Sequence, residues 1–410
     1  MRAKQIVATL LGVTLIGAAC TAAPRSPKAP AETGPGGPAP TATPGGPSGG
    51  PQVTDAPDIN DLRVSTANWA TDFTVASVDL GEFQGGGPPK DGIPSIDEPK
   101  LESIADAQTW LAPSSPVISL DIGGSARAYP LAILVWHEIV NDTLGGVPVV
   151  VTFCPLCHTA LVFDRRVADV VHDFGTTGNL RFSDLVMYDR QTESWWQQAT
   201  GQAIVGSLTD TKLTFLPAQI VSLADFATAY PNGEVLSRDT GENRPYGQNP
   251  YPGYDRADER PFLFAGEIDG RLAPKERVVT IDQDGSTIAI PYTALDAMGA
   301  IEIDLPEPVV VFWAPGTAAA LDGSTIDAGR DVGATGVFAP VVDGQRLTFA
   351  RTGGREGPIT DVETGSTWSI TGQATDGPLA GSQLEPVVHG DHFWFAWAAF
   401  SPETTIWSAP

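Results

Sequence analysis

The sequence predicts a mainly β, α+β fold built on an internally duplicated unit of about 150 residues. Three observations predict it. Short β-branched runs recur along the 410-residue chain, and 44 glycines and 36 prolines punctuate them, a density that favours strands and turns over long helices. Helical patterning is confined to short stretches that open on Pro or Ser. The second half of the chain also repeats motifs of the first, in the same order and at matching spacing.

Taken in order, residues 117–121 and 126–129 read as a hairpin around Gly123-Gly124. Pro130, whose fixed φ suits a first helical position, opens a helix expected over 130–140. The near-continuous β-branched run 147–153 reads as a buried strand. Further strands are expected at 161–163, 185–188 and 213–216. A helix is expected over 222–230, with Ser222 as N-cap and Asp225 at the capping-box position. Residues 246–254, rich in Pro, Tyr and Gly, read first as a linker between the halves and otherwise as a lid over the dithiol described below. Phe393, Trp394, Phe395, Trp397 and Phe400 read as the core of the last element.

The repeat is visible residue by residue. Ser119-Leu120-Asp121, Gly124-Ser125 and Ala128-Tyr129-Pro130 line up with Thr280-Ile281-Asp282, Gly285-Ser286 and Ala289-Ile290-Pro291. Val147-Pro148-Val149 meets Glu307-Pro308-Val309, and Thr192-Glu193-Ser194-Trp195 is aligned with Gly365-Ser366-Thr367-Trp368. On that alignment Trp195 reads as core, because Trp368 matches it, whereas Trp196 meets Ser369 and reads as a pocket residue.

The chain opens with a short basic segment and an apolar run from Ile6 to Ala19, too short for a stable bilayer span, and Ile16-Gly17-Ala18-Ala19-Cys20 resembles the lipobox of bacterial lipoproteins. The expected organisation is a signal peptide over 1–19, a disordered Pro/Gly-rich tether over 20–57, a first repeat with its N-terminal extension over 58–273, and a second repeat over 274–410. Cys20 is the expected lipidation site, which puts the protein outside the cytoplasm on a membrane anchor. The net charge of −25, from 49 acidic and 24 basic residues, argues against nucleic acid as a partner, since phosphate would be repelled.

The folded part holds two cysteines, Cys154 and Cys157, in Phe153-Cys154-Pro155-Leu156-Cys157-His158. The corresponding stretch of the second half, Trp313-Ala314-Pro315-Gly316-Thr317-Ala318, keeps the Pro and loses both thiols and the His. A residue the scaffold requires would recur in both copies, so the dithiol is function or a local staple. An extended chain would hold the two Cα atoms about 10 Å apart, beyond the roughly 4.4–6.8 Å of a disulfide. A β-turn with Pro155 at its second position brings them together and serves a disulfide or a metal clip equally.

Three chemistries compete for such a pair. Thiol–disulfide exchange needs an exposed thiol of lowered pKa. A metal site, for zinc or copper, needs one or two further ligands. Among five histidines, His158 abuts the motif and His137 lies toward the end of the preceding helix, with Glu138 beside it as a candidate acid or base. The C-x-x-C-H pattern also matches covalent haem attachment, but it sits between strands and no methionine stands out as a second axial ligand, so haem is not expected. Tyr188, Asp189, Arg190 and Trp196 are candidate pocket residues, Asp189 and Arg190 as a buried pair or substrate clamp.

Pro88-Pro89-Lys90-Asp91-Gly92-Ile93-Pro94, His137-Glu138-Ile139-Val140-Asn141-Asp142, Thr152-Phe153-Cys154-Pro155-Leu156-Cys157, Leu185-Val186-Met187-Tyr188-Asp189-Arg190 and Glu193-Ser194-Trp195-Trp196 together resemble a bacterial family, domain of unknown function 3179. The resemblance covers nearly the whole chain after the tether. Some members of that family are selenoproteins, which implies redox work for the thiol segment. In similar sequences the residue after the second Cys is not regularly His, which counts against haem. The expected function is thus thiol–disulfide exchange by Cys154 and Cys157, with an unknown redox protein or small molecule as partner. The alternatives are a metal-binding module and a non-catalytic lipoprotein in which the disulfide only closes a turn.

Overall fold

The computed structural model describes residues 58–409. The expected signal peptide, tether and Cys20 lie outside the described residues. The fold is α+β and mainly β. No helix among the described residues is long and apolar enough to cross a membrane.

Strands Pro116–Ile122 and Ser125–Pro130 form the expected hairpin. It reverses at Gly123 and Gly124, both at positive φ (60° and 83°), a conformation that costs glycine little. Helix Leu131–His137 follows, with Pro130 at its N-cap. It stops three residues short of the expected end, because Glu138 turns left-handed at φ 60° while its N–H still reaches the Leu134 carbonyl at 2.8 Å. That residue converts the helix into strand Ile139–Leu144. The chain then pairs antiparallel through Val147–Cys154 and Thr159–Asp164, with Cys154 opposite Thr159. The segment from Pro155 to His158 is therefore the turn between two buried neighbouring strands.

The second half runs through the same order of elements. Hairpin Arg277–Gln283 and Ser286–Pro291 leads into helix Tyr292–Met298, then strands Ala300–Ile303 and Val309–Ala314. Its backbone bonds match those of the first. Glu138 N–H to Leu134 O (2.8 Å) has its equivalent in Gly299 N–H to Leu295 O (2.7 Å), and Phe153 N–H to Glu138 O (2.8 Å) in Trp313 N–H to Gly299 O (2.8 Å).

One sheet joins the two stretches. Strand Gly390–Phe393 pairs with Arg277–Gln283 on one side and, through Asp391 opposite Ala160, with Thr159–Asp164 on the other. The strand after the Cys turn is thus packed edge to edge with the second half. Helix Trp394–Phe400 buries Trp394, Phe395, Trp397 and Phe400, as the aromatic pattern requires. Helix Leu223–Ala229 carries the expected cap, Ser222 Oγ accepting from Asp225 N–H at 3.0 Å.

A second hairpin delivers what the site needs. Strands Phe174–Arg181 and Asp184–Asp189 are joined by Phe182 and Ser183, both at positive φ (53° and 65°). Two left-handed residues make the tight turn whose twist suits a hairpin, but neither is the Gly or Asn that adopts this conformation cheaply.

Candidate functional site

Cys154 and Cys157 are free thiols, both buried. Their sulfurs and one carboxylate oxygen of Asp184 lie within 4.8 Å of one another. Asp184 is the first residue after the Phe182-Ser183 turn, and the same turn touches the dithiol from the backbone, Cys154 Sγ lying 3.6 Å from the Ser183 carbonyl. Asp184 is fully buried. Its Oδ1 accepts from the Gln197 side chain at 2.5 Å and from Ala199 N–H at 2.9 Å, while Oδ2 accepts from no N–H or hydroxyl and the carboxyl meets the Cys157 thiol, a weak donor. The guanidinium of Arg181 lies close by in the sequence and is occupied by Glu82 at 2.6 Å.

Burial dominates the electrostatics. It pushes Asp184 up to about 7 against the hydrogen bonds from Ala199 and Gln197. Glu138 is pushed up to about 8, by burial first and then by the charge of Asp184. Burial also raises both thiols, Cys157 well above its ordinary value, with the neighbouring Cys154 and Asp184 adding to the effect. Glu138, the candidate acid or base, is buried, and its carboxyl takes no hydrogen bond among the described residues.

The histidines are elsewhere. His158 turns its Nε2 to the Arg277 guanidinium and stacks on Phe393, ring centroids 5.3 Å apart. Burial, and then Arg277, hold its imidazole well below the usual range, so it lends no positive charge to the thiols. His137 spends both ring nitrogens, on Pro94 O at 2.7 Å and on the Tyr246 hydroxyl at 2.6 Å. It is a satisfied structural histidine.

The other candidates form a separate cluster. The Tyr188 hydroxyl donates to Asp91 at 2.5 Å and accepts from Arg190 at 3.0 Å. Asp189 and Arg190 do not pair: Arg190 reaches outward to Asp91 and Asp97, and Asp189 points inward. Asp189 accepts from Thr192 N–H (2.7 Å), Thr192 Oγ1 (2.8 Å) and Trp196 Nε1 (3.0 Å). Asp361 does the same for Thr364 N–H (2.6 Å), Thr364 Oγ1 (2.9 Å) and Trp368 Nε1 (3.0 Å). The counterpart of Trp368 is therefore Trp196 and not Trp195, and Trp196 is a buried brace rather than a pocket wall.

The connector lies over the Cys turn. The Tyr254 hydroxyl donates to the Leu156 carbonyl at 3.1 Å, Lys275 Nζ sits 4.1 Å from the Tyr254 ring centroid, and Ser183 Oγ donates to Phe262 O at 2.5 Å. The connector joins the two halves and rests on the Cys turn through Tyr254. Burial and the nearby thiols raise the Tyr254 phenol.

Sequence reasoning missed Asp184 because it stands 27 positions beyond Cys157 in a segment with no Asn-Gly turn signal. The one available sign was a lone acidic residue opening an apolar run. A family model described as "Protein of unknown function (DUF3179)" matches residues 90–404, and the chain belongs to that family. No curated protein and no solved structure matches it.

Proposed function

With membership of a family of unknown function as the premise, we propose that this protein binds a metal ion between Cys154, Cys157 and Asp184. The observation that carries the reading is the convergence of two sulfurs and a carboxylate oxygen within 4.8 Å, all buried, with Asp184 Oδ2 accepting from no N–H or hydroxyl. A buried carboxyl oxygen with no donor stronger than a thiol is costly. A divalent ion supplies the missing counter-charge and lets both thiols ionise. Two thiolates and one carboxylate suit zinc. Copper(I) prefers an all-sulfur set, and harder ions prefer all oxygen.

Thiol–disulfide exchange is the second reading, supported by two adjacent sulfurs on one turn. It asks for an exposed thiolate of lowered pKa, whereas these thiols are buried and raised. Export and a lipid anchor at Cys20 belong to the same proposal and rest on the lipobox-like segment. We also take the two halves as copies of one unit, on the support of their matched backbone bonds and the Asp189 and Asp361 braces.

The test is one preparation of the purified chain, analysed for metal by mass spectrometry and for free thiols with and without reductant. One equivalent of zinc is expected, lost in Cys157→Ser and in Asp184→Asn. A metal-free protein that does not take up zinc after reduction would overturn the reading, and a Cys154–Cys157 disulfide in that protein would favour exchange.

A further inference from the structure

We infer that Glu138 is the fourth ligand of the site, so that the ion is held by two thiolates and two carboxylates. This rests on the metal-binding reading.

Glu138 occupies the position after a helix C-terminus where a left-handed residue is needed, and Gly is the residue that fits there without strain. The second half has Gly299 at the matching position, at φ 77°, with the same two backbone bonds. The first half holds a glutamate at φ 60° instead. A non-glycine residue held in this region and then buried is a signature of a functional position. The second half lacks this glutamate together with both thiols: Gly299, Ala314 and Thr317 stand where Glu138, Cys154 and Cys157 stand in the first.

The position is bonded to the strand that ends at Cys154. The Glu138 carbonyl accepts from Phe153 N–H, the residue before Cys154 on the adjacent strand. Its carboxyl is outside the group of three donor atoms, and its charge bears on Cys154 as that of Asp184 bears on it. No hydrogen bond among the described residues holds it, so turning it toward the ion breaks none. In the second half the corresponding space belongs to Arg351, whose side chain an added Cβ at Gly299 would meet at 2.6 Å. Two thiolates and two carboxylates around Zn²⁺ carry the same net charge as a four-thiolate zinc site, a common closed structural type.

The experiment uses Glu138→Gly and Glu138→Gln. Glycine suits the backbone here, so Glu138→Gly folds and, metal-free, melts no lower than the parent. Zinc affinity, measured by competition with a chelating dye, falls roughly 10–100-fold or more in both variants, and the visible bands of the cobalt-substituted protein change. Parent-like affinity and cobalt bands in both variants would overturn the role of Glu138 and leave the three-ligand site standing. A parent protein that takes up neither zinc nor cobalt would instead remove the underlying reading.

Discussion

At the end of its central strand the first half carries Cys154, Cys157 and a left-handed Glu138. At the same place the second half carries Ala314, Thr317 and a left-handed Gly299. The scaffold around them is shared down to individual hydrogen bonds, as the Asp189 and Asp361 braces also show. The second half therefore serves as an internal control. It shows that hairpin, helix and strand form without a thiol or a buried carboxyl at the turn. What the first half has in excess, two buried thiols at the turn and a buried glutamate at the helix end, is not needed to form these elements.

The strongest way to break the comparison is to make the first turn resemble the second. Cys154→Ala combined with Cys157→Thr is expected to fold and to lose the metal entirely, read by elemental analysis alongside circular dichroism. Metal retained in that variant would mean that the difference between the halves is not a metal site. The parent should gain several kcal/mol of stability with zinc in large excess over its dissociation constant, and the variant none, read as the shift in thermal midpoint on zinc addition.

The next effect is on pH dependence. In the metal-free protein Asp184 and Glu138, at about 7 and about 8, keep protons that the unfolded chain releases near the ordinary carboxylate range. The folded state then binds more protons, so stability falls as pH rises from about 4 to about 8. His392 works in the opposite direction. Burial holds it at about 3, and its contribution is lost as pH falls from the ordinary imidazole range toward that value. Urea midpoints across this range should show both flanks. Glu138→Gly with Asp184→Asn should flatten the alkaline one, and an unchanged alkaline flank would assign the loss to other groups.

A smaller effect comes from reversing the exchange. Gly299→Glu places a side chain at φ 77° against Arg351, and a loss of about 1–3 kcal/mol is expected in chemical denaturation. A neutral result would remove the strain argument for Glu138. The smallest is at the braces. Trp196→Phe and Trp368→Phe each remove one hydrogen bond to a buried aspartate whose oxygen keeps its threonine donor, for about 0.5–1.5 kcal/mol each. Similar losses would sharpen the equivalence of the two halves, and a large loss confined to Trp196 would weaken it.

How much was legible beforehand follows the range of the interactions. The first hairpin, the strand into Cys154, the Ser222 cap and the buried aromatics of the last element are set by neighbours a few residues apart, and the sequence predicted each of them. The end of the first helix was misjudged because nothing local marks Glu138 as left-handed; the strand that draws it out comes from Phe153, fifteen positions later. The one-residue slip that matched Trp195 with Trp368 had a different origin. Adjacent tryptophans look alike in a string, and the alignment overlooked that Asp189, Thr192, Ser194 and Trp196 repeat the spacing of Asp361, Thr364, Ser366 and Trp368.

The order of the elements, the asymmetry of the dithiol between the halves and the adjacency of Cys154 to Cys157 across a Pro turn were determined by the sequence alone, because each depends on short-range geometry or on comparing the chain with itself. Only the tertiary structure decided that Asp184 joins the thiols, that Glu138 is buried beside them and that His137 and His158 are not. Those outcomes depend on which strands lie side by side, and a fully buried pocket draws its members from segments that local patterning cannot connect.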